Sequence, residues 1–248
     1  MSGTHAGQYG RSCTLEPLGQ AGGRDPALTA NKNPFCEEKN NVRADGFIHG
    51  FGKSNEMKQT ELFNLLQIDD IMKLPGALMK VLMGDADRRT EFYRAMLELN
   101  GFDVSFDWFQ SIYEDEMAQR KKQKQDFTPN SVSVLCSMIV GNHSSVHEPT
   151  AGNGSMLIAD WWENARKNLV YTYRPSRHMI DCWELSDRSL PILLFNLSVR
   201  GIMGVVHHGD VLEQQEKCRY ILLNRHDDPL AFSEIIVDNE KKLKIREV

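Results

Sequence analysis

The stretch that decides the fold is VHEPTAGNGSMLIADWW, residues 146–162. Glu-Pro is followed by Gly152 and Gly154, two residues apart, and then by a run with Met and Trp at helical spacing. Because glycine lacks a Cβ atom, its backbone adopts conformations that other residues avoid, and a ligand can press against it. Two interpretations are open: an ordinary tight turn, or a loop shaped for a small cofactor. Both predict a strand before the glycines and a helix after them.

The sequence on either side of this loop alternates between strand and helix patterns. Strands are predicted over SSVHEP, MIDCWELS, MGVVHHGDVL and CRYILLN. Helices are predicted over NSVSVLCSMIV, GSMLIADWWENARKN and DRSLPILLFNLSVRG. Thr128 is the predicted N-cap of the first helix, with Pro129 at its first helical position. Alternation of this kind predicts an α/β fold with a parallel sheet wrapped by helices.

The chain divides into three predicted parts. Residues 1–56 are rich in Gly, Asn, Thr, Ser and charge without an apolar period, so we expect a flexible or disordered arm. Residues 57–125 form a predicted helical module: ELFNLLQIDDIMKL is helical, Pro75 and Gly76 interrupt it, and TEFYRAMLELNG ends at Asn100 and Gly101. DWFQSIYEDEMAQRKKQKQ is the module's last predicted helix. Residues 126–248 carry the α/β pattern.

Composition limits the classes of protein that fit. Of the 248 residues, 41% are hydrophobic and 25% charged, which is typical of a soluble globular protein. A formal net charge of −5 argues against coating nucleic acid through global charge, although QRKKQKQ (119–125) is a candidate for local phosphate contact or a solvated helix end. With five scattered cysteines, no secretion signal pattern and no apolar run long enough to span a bilayer, we expect a reduced, cytoplasmic protein without a membrane partner.

The glycine loop falls at the edge where open parallel sheets bind ligands, beyond the carboxyl ends of the strands. A phosphate loop is excluded, because no Lys-Ser/Thr pair follows the glycines. A dinucleotide fingerprint needs a third glycine where Leu157 stands. The free N–H groups of the following helix favour an anionic group. A smaller cofactor that bears a carboxylate remains.

Acidic residues end the next two predicted strands. Glu184 is placed to accept hydrogen bonds from two ribose hydroxyls, as acidic residues do in other nucleoside-binding sheets. Asp210 is placed to face an adenine ring. The alternative for each is a solvated or capping carboxylate. The glycine loop, Glu184 and Asp210 thus follow or end three successive predicted strands. Together they favour a cofactor that contains a nucleoside.

Four ordered motifs carry a resemblance to a known family: DFTP (126–129), EPTAGNGSML, CWELSDRSLPILLFNLSVRGI and HHGDVL. Together they resemble the modification subunits of type I restriction-modification systems, which are adenine-specific DNA methyltransferases that use S-adenosylmethionine. The resemblance covers about residues 57–224. It implies a partial, Rossmann-like S-adenosylmethionine-dependent methyltransferase sheet preceded by a helical module. It also implies DNA and the specificity and restriction subunits as partners.

The resemblance implies eight cofactor-binding residues: Phe127, Thr128, Pro129, Glu148, Gly152, Gly154, Glu184 and Asp210. The first three would pack near the methionine end of S-adenosylmethionine. The next three would line its carboxylate side, and the last two would hold the ribose and approach the adenine. Two residues of the glycine loop depart from the family pattern, since Glu148 replaces Asp and Asn153 replaces Ser.

The family's catalytic tetrapeptide, Asn-Pro-Pro-aromatic, should follow the fourth strand. Its Asn side chain and a proline carbonyl accept hydrogen bonds from the adenine amine, while the aromatic ring stacks on the flipped base. Asn224 is in place as the catalytic residue, but Arg225, His226 and Asp227 follow it. Only about 25 residues follow Leu223, too few for the remaining strands of a complete methyltransferase fold. Two functions are therefore expected: adenine-specific DNA methylation or, as the alternative, a non-catalytic methyltransferase-like protein that binds cofactor or a modification-complex partner.

Overall fold

The computed structural model describes residues 59–110, 112, 128–141, 143–168 and 172–238. The predicted arm 1–56, Phe127, the basic stretch 119–125 and most of the helix predicted around it lie outside these residues. The predicted division of the chain at residues 57 and 126 remains a prediction.

The helical region begins with α1 (Gln59–Leu66), a short 3-10 turn (Ile71–Lys73) and α2 (Leu74–Leu82). The sequence predicted one helix over 61–74, and this is wrong. The helix stops at Leu66, because Gln67 adopts a left-handed backbone with φ of +54°. Pro75 lies in the first turn of α2, where proline lacks only an N–H that has no partner within the helix. The Pro-Gly pair therefore begins a helix instead of interrupting one.

Helix α3 (Ala86–Leu99) has clear signals at both ends. The side chain of Asp85 caps it by accepting hydrogen bonds from the N–H groups of residues 87 and 88. Asn100 and a left-handed Gly101 end it, as the sequence predicted. Its Phe92 and Tyr93 pack edge to face on Phe195, which lies in the α/β region. The helical region therefore shares its core with the α/β region.

The α/β region consists of α4 (Asn130–Val140), β1 (Ser145–Glu148), α5 (Ser155–Lys167), β2 (Met179–Glu184), α6 (Ser189–Ser198), β3 (Gly204–Asp210), β4 (Gln215–Leu223) and β5 (Glu234–Asp238). The five strands form one sheet in the order β1-β2-β3-β4-β5, of which the first three are parallel. The predicted α/β fold class is confirmed. The N-cap of α4 is Pro129 instead of Thr128, one residue later than predicted.

Strand β4 runs antiparallel to β3, and β5 runs antiparallel to β4. The prediction of a parallel β4 is wrong, because only residues 211–214 join it to β3, whereas a parallel crossover needs a dozen or more residues. The end of β4 therefore lies beside the start of β3, with Leu222 opposite Gly204. Asn224 and Asp210 are consequently separated by the length of β3, about 20 Å.

The two crossovers β1-α5-β2 and β2-α6-β3 place both helices on one face of the sheet, since such connections are right-handed. That face buries Cys182, Val206 and Leu222, and α2 packs against the outer side of α6. The opposite face carries the polar side chains of Asp181 and His207 and no helix among the described residues. The core thus extends from the sheet through α6 into the helical region, and the carboxyl ends of β1, β2 and β3 meet at one end of the sheet.

Candidate cofactor-binding site

The glycine loop connects β1 to α5 and is tied to the end of β2, since the Ala151 N–H donates to the Trp183 carbonyl at 2.8 Å. Gly152 and Gly154 have φ values of +58° and +86°, in the left-handed region that favours glycine. Their surroundings differ. A Cβ on Gly154 would lie 2.8 Å from Cδ1 of Leu193, whereas one on Gly152 would meet no atom within 4 Å. Gly154 therefore lets the loop pack on α6, and Gly152 faces open space.

Glu184, at the end of β2, holds the glycine loop through hydrogen bonds from backbone N–H groups. Its Oε2 accepts a hydrogen bond from the Gly152 N–H at 2.6 Å, and its Oε1 accepts one from the Ser186 N–H at 2.7 Å. Burial raises the pKa of Glu184, and these backbone donors oppose the rise. The Leu185 N–H is a third backbone donor to this carboxylate, which has about four lone-pair sites, so about one site remains for a ligand hydroxyl.

Glu148 ends β1, where it lies opposite Cys182 of β2, two residues before Glu184. Burial, with the nearby carboxylates of Glu184 and Asp160, raises the pKa of Glu148 to about 8. Its Oε2 is buried and has no hydrogen-bond partner among the described residues. A buried, unpaired carboxyl oxygen is rare in folded proteins, and a polar ligand that reached it would satisfy it.

We expect Glu148→Gln to raise the melting temperature at about pH 9 and to change it little at about pH 4. The pKa of Glu148 is about 8 in the folded chain and 4.5 ordinarily. Between these values the folded state binds more protons than the unfolded state, so the wild type loses stability as pH rises. Glutamine does not ionise and escapes this loss. Thermal unfolding followed across this pH range measures the difference.

Glu213→Gln is the matched control, because Glu213 lies exposed in the turn between β3 and β4. Its melting temperature should follow that of the wild type at every pH. A constant difference between Glu148→Gln and the wild type across the range would contradict a buried, ionisable Glu148.

The other predicted cofactor residues occupy more ordinary positions. Asp210 ends β3, at the same edge as Glu184, and its Oδ1 accepts hydrogen bonds from the N–H groups of Leu212 and Glu213 at 2.9 and 3.2 Å. It therefore caps the turn into β4. Thr128 and Pro129 immediately precede α4, and the Pro129 carbonyl accepts hydrogen bonds from the first turn of that helix.

Asn224 is not brought to the glycine loop. It is 2% exposed, and its Nδ2 donates to the carbonyls of Asp228, Gly201 and Ala231 at 2.8, 3.3 and 3.3 Å. Its Oδ1 accepts a hydrogen bond from the Asp228 N–H at 3.2 Å. These contacts hold the turn after β4 against the start of β3. The side chain predicted to be catalytic thus makes structural hydrogen bonds, and it lies at the end of the sheet opposite the glycine loop.

Three buried residues that the sequence analysis did not identify support the loop: Asp107, Asn196 and Arg200. The side chain of Asn196 in α6 donates to the Asp107 carboxylate at 2.9 Å and to the Asn153 carbonyl of the loop at 2.8 Å. Arg200 donates to the carbonyl of Asn196 at 2.7 Å and lies 5.1 Å above the ring of Trp108. The available signal was an asparagine inside the apolar run LPILLFNLS. An uncharged polar residue buried in such a helix requires a hydrogen-bond partner.

No family model matches the chain, and no curated protein matches it. Among solved structures, the chain is similar to the type I restriction-modification system methyltransferase subunit from Streptococcus thermophilus, at 16% sequence identity and a TM-score of 0.33. The match covers 63% of this chain and 40% of that one, so this chain spans about two fifths of that subunit.

The residues that the structure describes contain no group of three or more His, Cys, Asp or Glu side chains suited to hold a metal ion. None of their helices is both long and apolar enough to cross a bilayer.

Proposed function

We propose that the chain binds S-adenosylmethionine at the carboxyl edge of β1 and β2, with a site of the methyltransferase type. One observation carries the proposal: Glu148 and Glu184 end the adjacent strands β1 and β2, and Glu184 holds a loop whose Gly152 faces open space. The loop donates one N–H to Glu184 and leaves Oε2 of Glu148 unpaired. This arrangement supplies both hydrogen-bond acceptors and backbone access.

The residues fit the chemistry of this cofactor. Glu184 would accept a hydrogen bond from a ribose hydroxyl, and Glu148 would approach the ammonium group, whose positive charge favours the ionised carboxylate. Gly152 would admit the cofactor to the backbone, and Gly154 would hold the loop in place on α6. Asp210 would lie toward the adenine, with Phe127, Thr128 and Pro129 toward the methionine end. When bound, S-adenosylmethionine supplies an electrophilic methyl group.

Within this proposal, the geometry supports the non-catalytic alternative better than methyl transfer by this chain alone. Asn224 would have to hold a target adenine, yet its side chain is buried about 20 Å from Asp210, along the length of β3. The chain would then bind cofactor or associate with a modification complex and its DNA. Adenine-specific DNA methylation remains the second candidate, favoured by the order of the four motifs.

Calorimetric titration of S-adenosylmethionine tests the site, with Gly152→Asn as the blocking variant. Asparagine tolerates a left-handed backbone, so this change should fill the open space without breaking the loop. We expect micromolar binding to the wild type and at least tenfold weaker binding to the variant. Gly76→Asn is the control, because Gly76 is exposed in the first turn of α2, with equally open surroundings away from the loop and an ordinary helical backbone. Absence of binding to folded wild-type protein would overturn the proposal.

Transfer of a labelled methyl group to adenine-containing DNA separates the two candidates. Once cofactor binding is established, transfer by the purified chain would support the methyltransferase and eliminate the non-catalytic alternative. Binding without transfer, including in the presence of specificity and restriction subunits, would support a protein that retains the cofactor site alone.

A further inference from the structure

Helix α4 turns its apolar side chains outward. Five of these side chains are exposed, and we call them the α4 face. They are Val132 (43% exposed), Leu135 (56%), Met138 (53%), Ile139 (75%) and Val140 (66%). The side chains buried against α5 include two serines, Ser133 and Ser137. The helix contains no charged residue. This arrangement is the reverse of an ordinary surface helix, whose apolar stripe faces the core.

A helix with apolar side chains on its outer face is typically packed against other protein on both of its sides. The α4 face exposes on the order of 500 Å² of apolar surface, toward the upper end of the patches found on monomeric proteins. The serines allow α4 to lie close to α5, and Ser137 donates to the Asp160 carboxylate at 3.2 Å. The helix is therefore held firmly on its polar side and lacks a partner on its apolar side within the described residues.

A free strand edge follows this face in the chain, separated from the end of α4 by four residues. Among the described strands β1 has one neighbour, β2, and its other edge is open. The Ser144 carbonyl accepts a hydrogen bond from the Met179 N–H, so the backbone groups of Ser145 and His147 point away from β2. Residues 141–144 join α4 directly to β1, and α4 flanks α5, the helix of the first crossover.

We propose that a second copy of this chain covers the α4 face and pairs with the free edge of β1. Antiparallel pairing of the two β1 strands about a two-fold axis perpendicular to the sheet would leave both helix layers on the same face. The two α4 helices would then face each other across the axis, and the two sheets would become continuous. This contact is isologous, as in most homodimers.

Three features favour a second copy as the occupant. A partner that covers both features must itself offer a free strand edge and an apolar helix. A second copy of this chain offers both, in β1 and α4. Because α4 carries no charge, contact between two α4 faces brings no like charges together. The α4 face supplies on the order of 500 Å² of the roughly 800 Å² of accessible surface that a stable interface buries per partner, and the strand edge adds polar area to it. The proposal stands independently of cofactor binding.

Sedimentation equilibrium of the full chain over micromolar concentrations tests this dimer. We expect a wild-type dimer, at least about 100-fold weaker self-association in Ile139→Glu, and unchanged association in Leu212→Glu. Leu212 is the matched control because it is 92% exposed in the turn between β3 and β4, away from α4. Both substituted residues are exposed, so circular dichroism should show that both variants fold.

Hydrogen exchange tests the strand pairing separately. The amides of Ser145 and His147 should exchange slowly in the wild type and faster in Ile139→Glu. A wild type that stays monomeric throughout the concentration range would overturn the proposal. A dimer unaffected by Ile139→Glu would do the same, since it would form through another surface. Equal exchange at these amides in both proteins would overturn the β1 pairing.

Discussion

Arg200→Met is expected to lower the free energy of unfolding by about 3–5 kcal/mol, because it leaves buried carbonyl groups without their donor and removes the positive charge that acts on the buried Asp107 carboxyl. Arg200 is 4% exposed, and burial lowers the pKa of its guanidinium to about 10. It donates to the carbonyls of Val104, Asn196 and Phe106 at 2.8, 2.7 and 2.6 Å. Methionine fills similar volume but satisfies none of these acceptors.

The loss of charge also affects Asp107, which is 3% exposed. Burial raises the pKa of Asp107, and the positive charge of Arg200 opposes that rise. Without Arg200, this carboxyl must become protonated or remain buried and charged, and either outcome destabilises the fold. Because Asp107 and the Asn153 carbonyl share the amide of Asn196, we also expect a less ordered glycine loop.

Urea unfolding of Arg200→Met and the wild type measures this effect. Arg94→Met is the matched control, since Arg94 is exposed on α3, and its change should stay within about 0.5 kcal/mol. Equal stability of Arg200→Met and the wild type would show that the buried network contributes nothing to the fold.

The sequence predicted the elements that local signals define. Glycines two apart located β1, the loop and α5, and Asn100 with Gly101 located the end of α3. Each signal acts through backbone conformation at the residue itself, so one sequence suffices to find it.

The direction of β4 depends on the length of its connection to β3. Four residues there exclude a crossover, and a count of the residues between the two strands would have predicted the hairpin.

The loop could be predicted only in part, for a different physical reason. The sequence left a tight turn and a ligand-approach loop as alternatives, and the structure gives each glycine a different role. Gly154 packs close to Leu193, while Gly152 faces open space. The network of Asp107, Asn196 and Arg200 joins segments about 90 residues apart in the chain, with 89 residues separating Asp107 from Asn196. No local pattern encodes a pairing of that range, so the supports of the loop appeared only in the fold.

Asn224→Ala is expected to lower the free energy of unfolding by about 2–4 kcal/mol and to leave the intrinsic affinity of folded protein for S-adenosylmethionine unchanged. The asparagine side chain satisfies three carbonyls and one N–H in the turn after β4. Alanine leaves these buried groups without a partner, and each such group costs about 1–3 kcal/mol when water does not reach it. The affinity is expected to stay the same because Asn224 lies at the far edge of the sheet from Glu184.

Two measurements together test this structural role of Asn224. Urea unfolding should show the loss in Asn224→Ala and a change within about 0.5 kcal/mol in Asn64→Ala, an exposed asparagine of α1. Calorimetry below the unfolding transition should give the same dissociation constant for both variants and the wild type. A catalytic Asn224 predicts the opposite result: methyl transfer to DNA by the wild type, lost in Asn224→Ala at unchanged stability. That outcome would require β4 to leave its hairpin with β3, because the present pairing keeps Asn224 away from the cofactor edge.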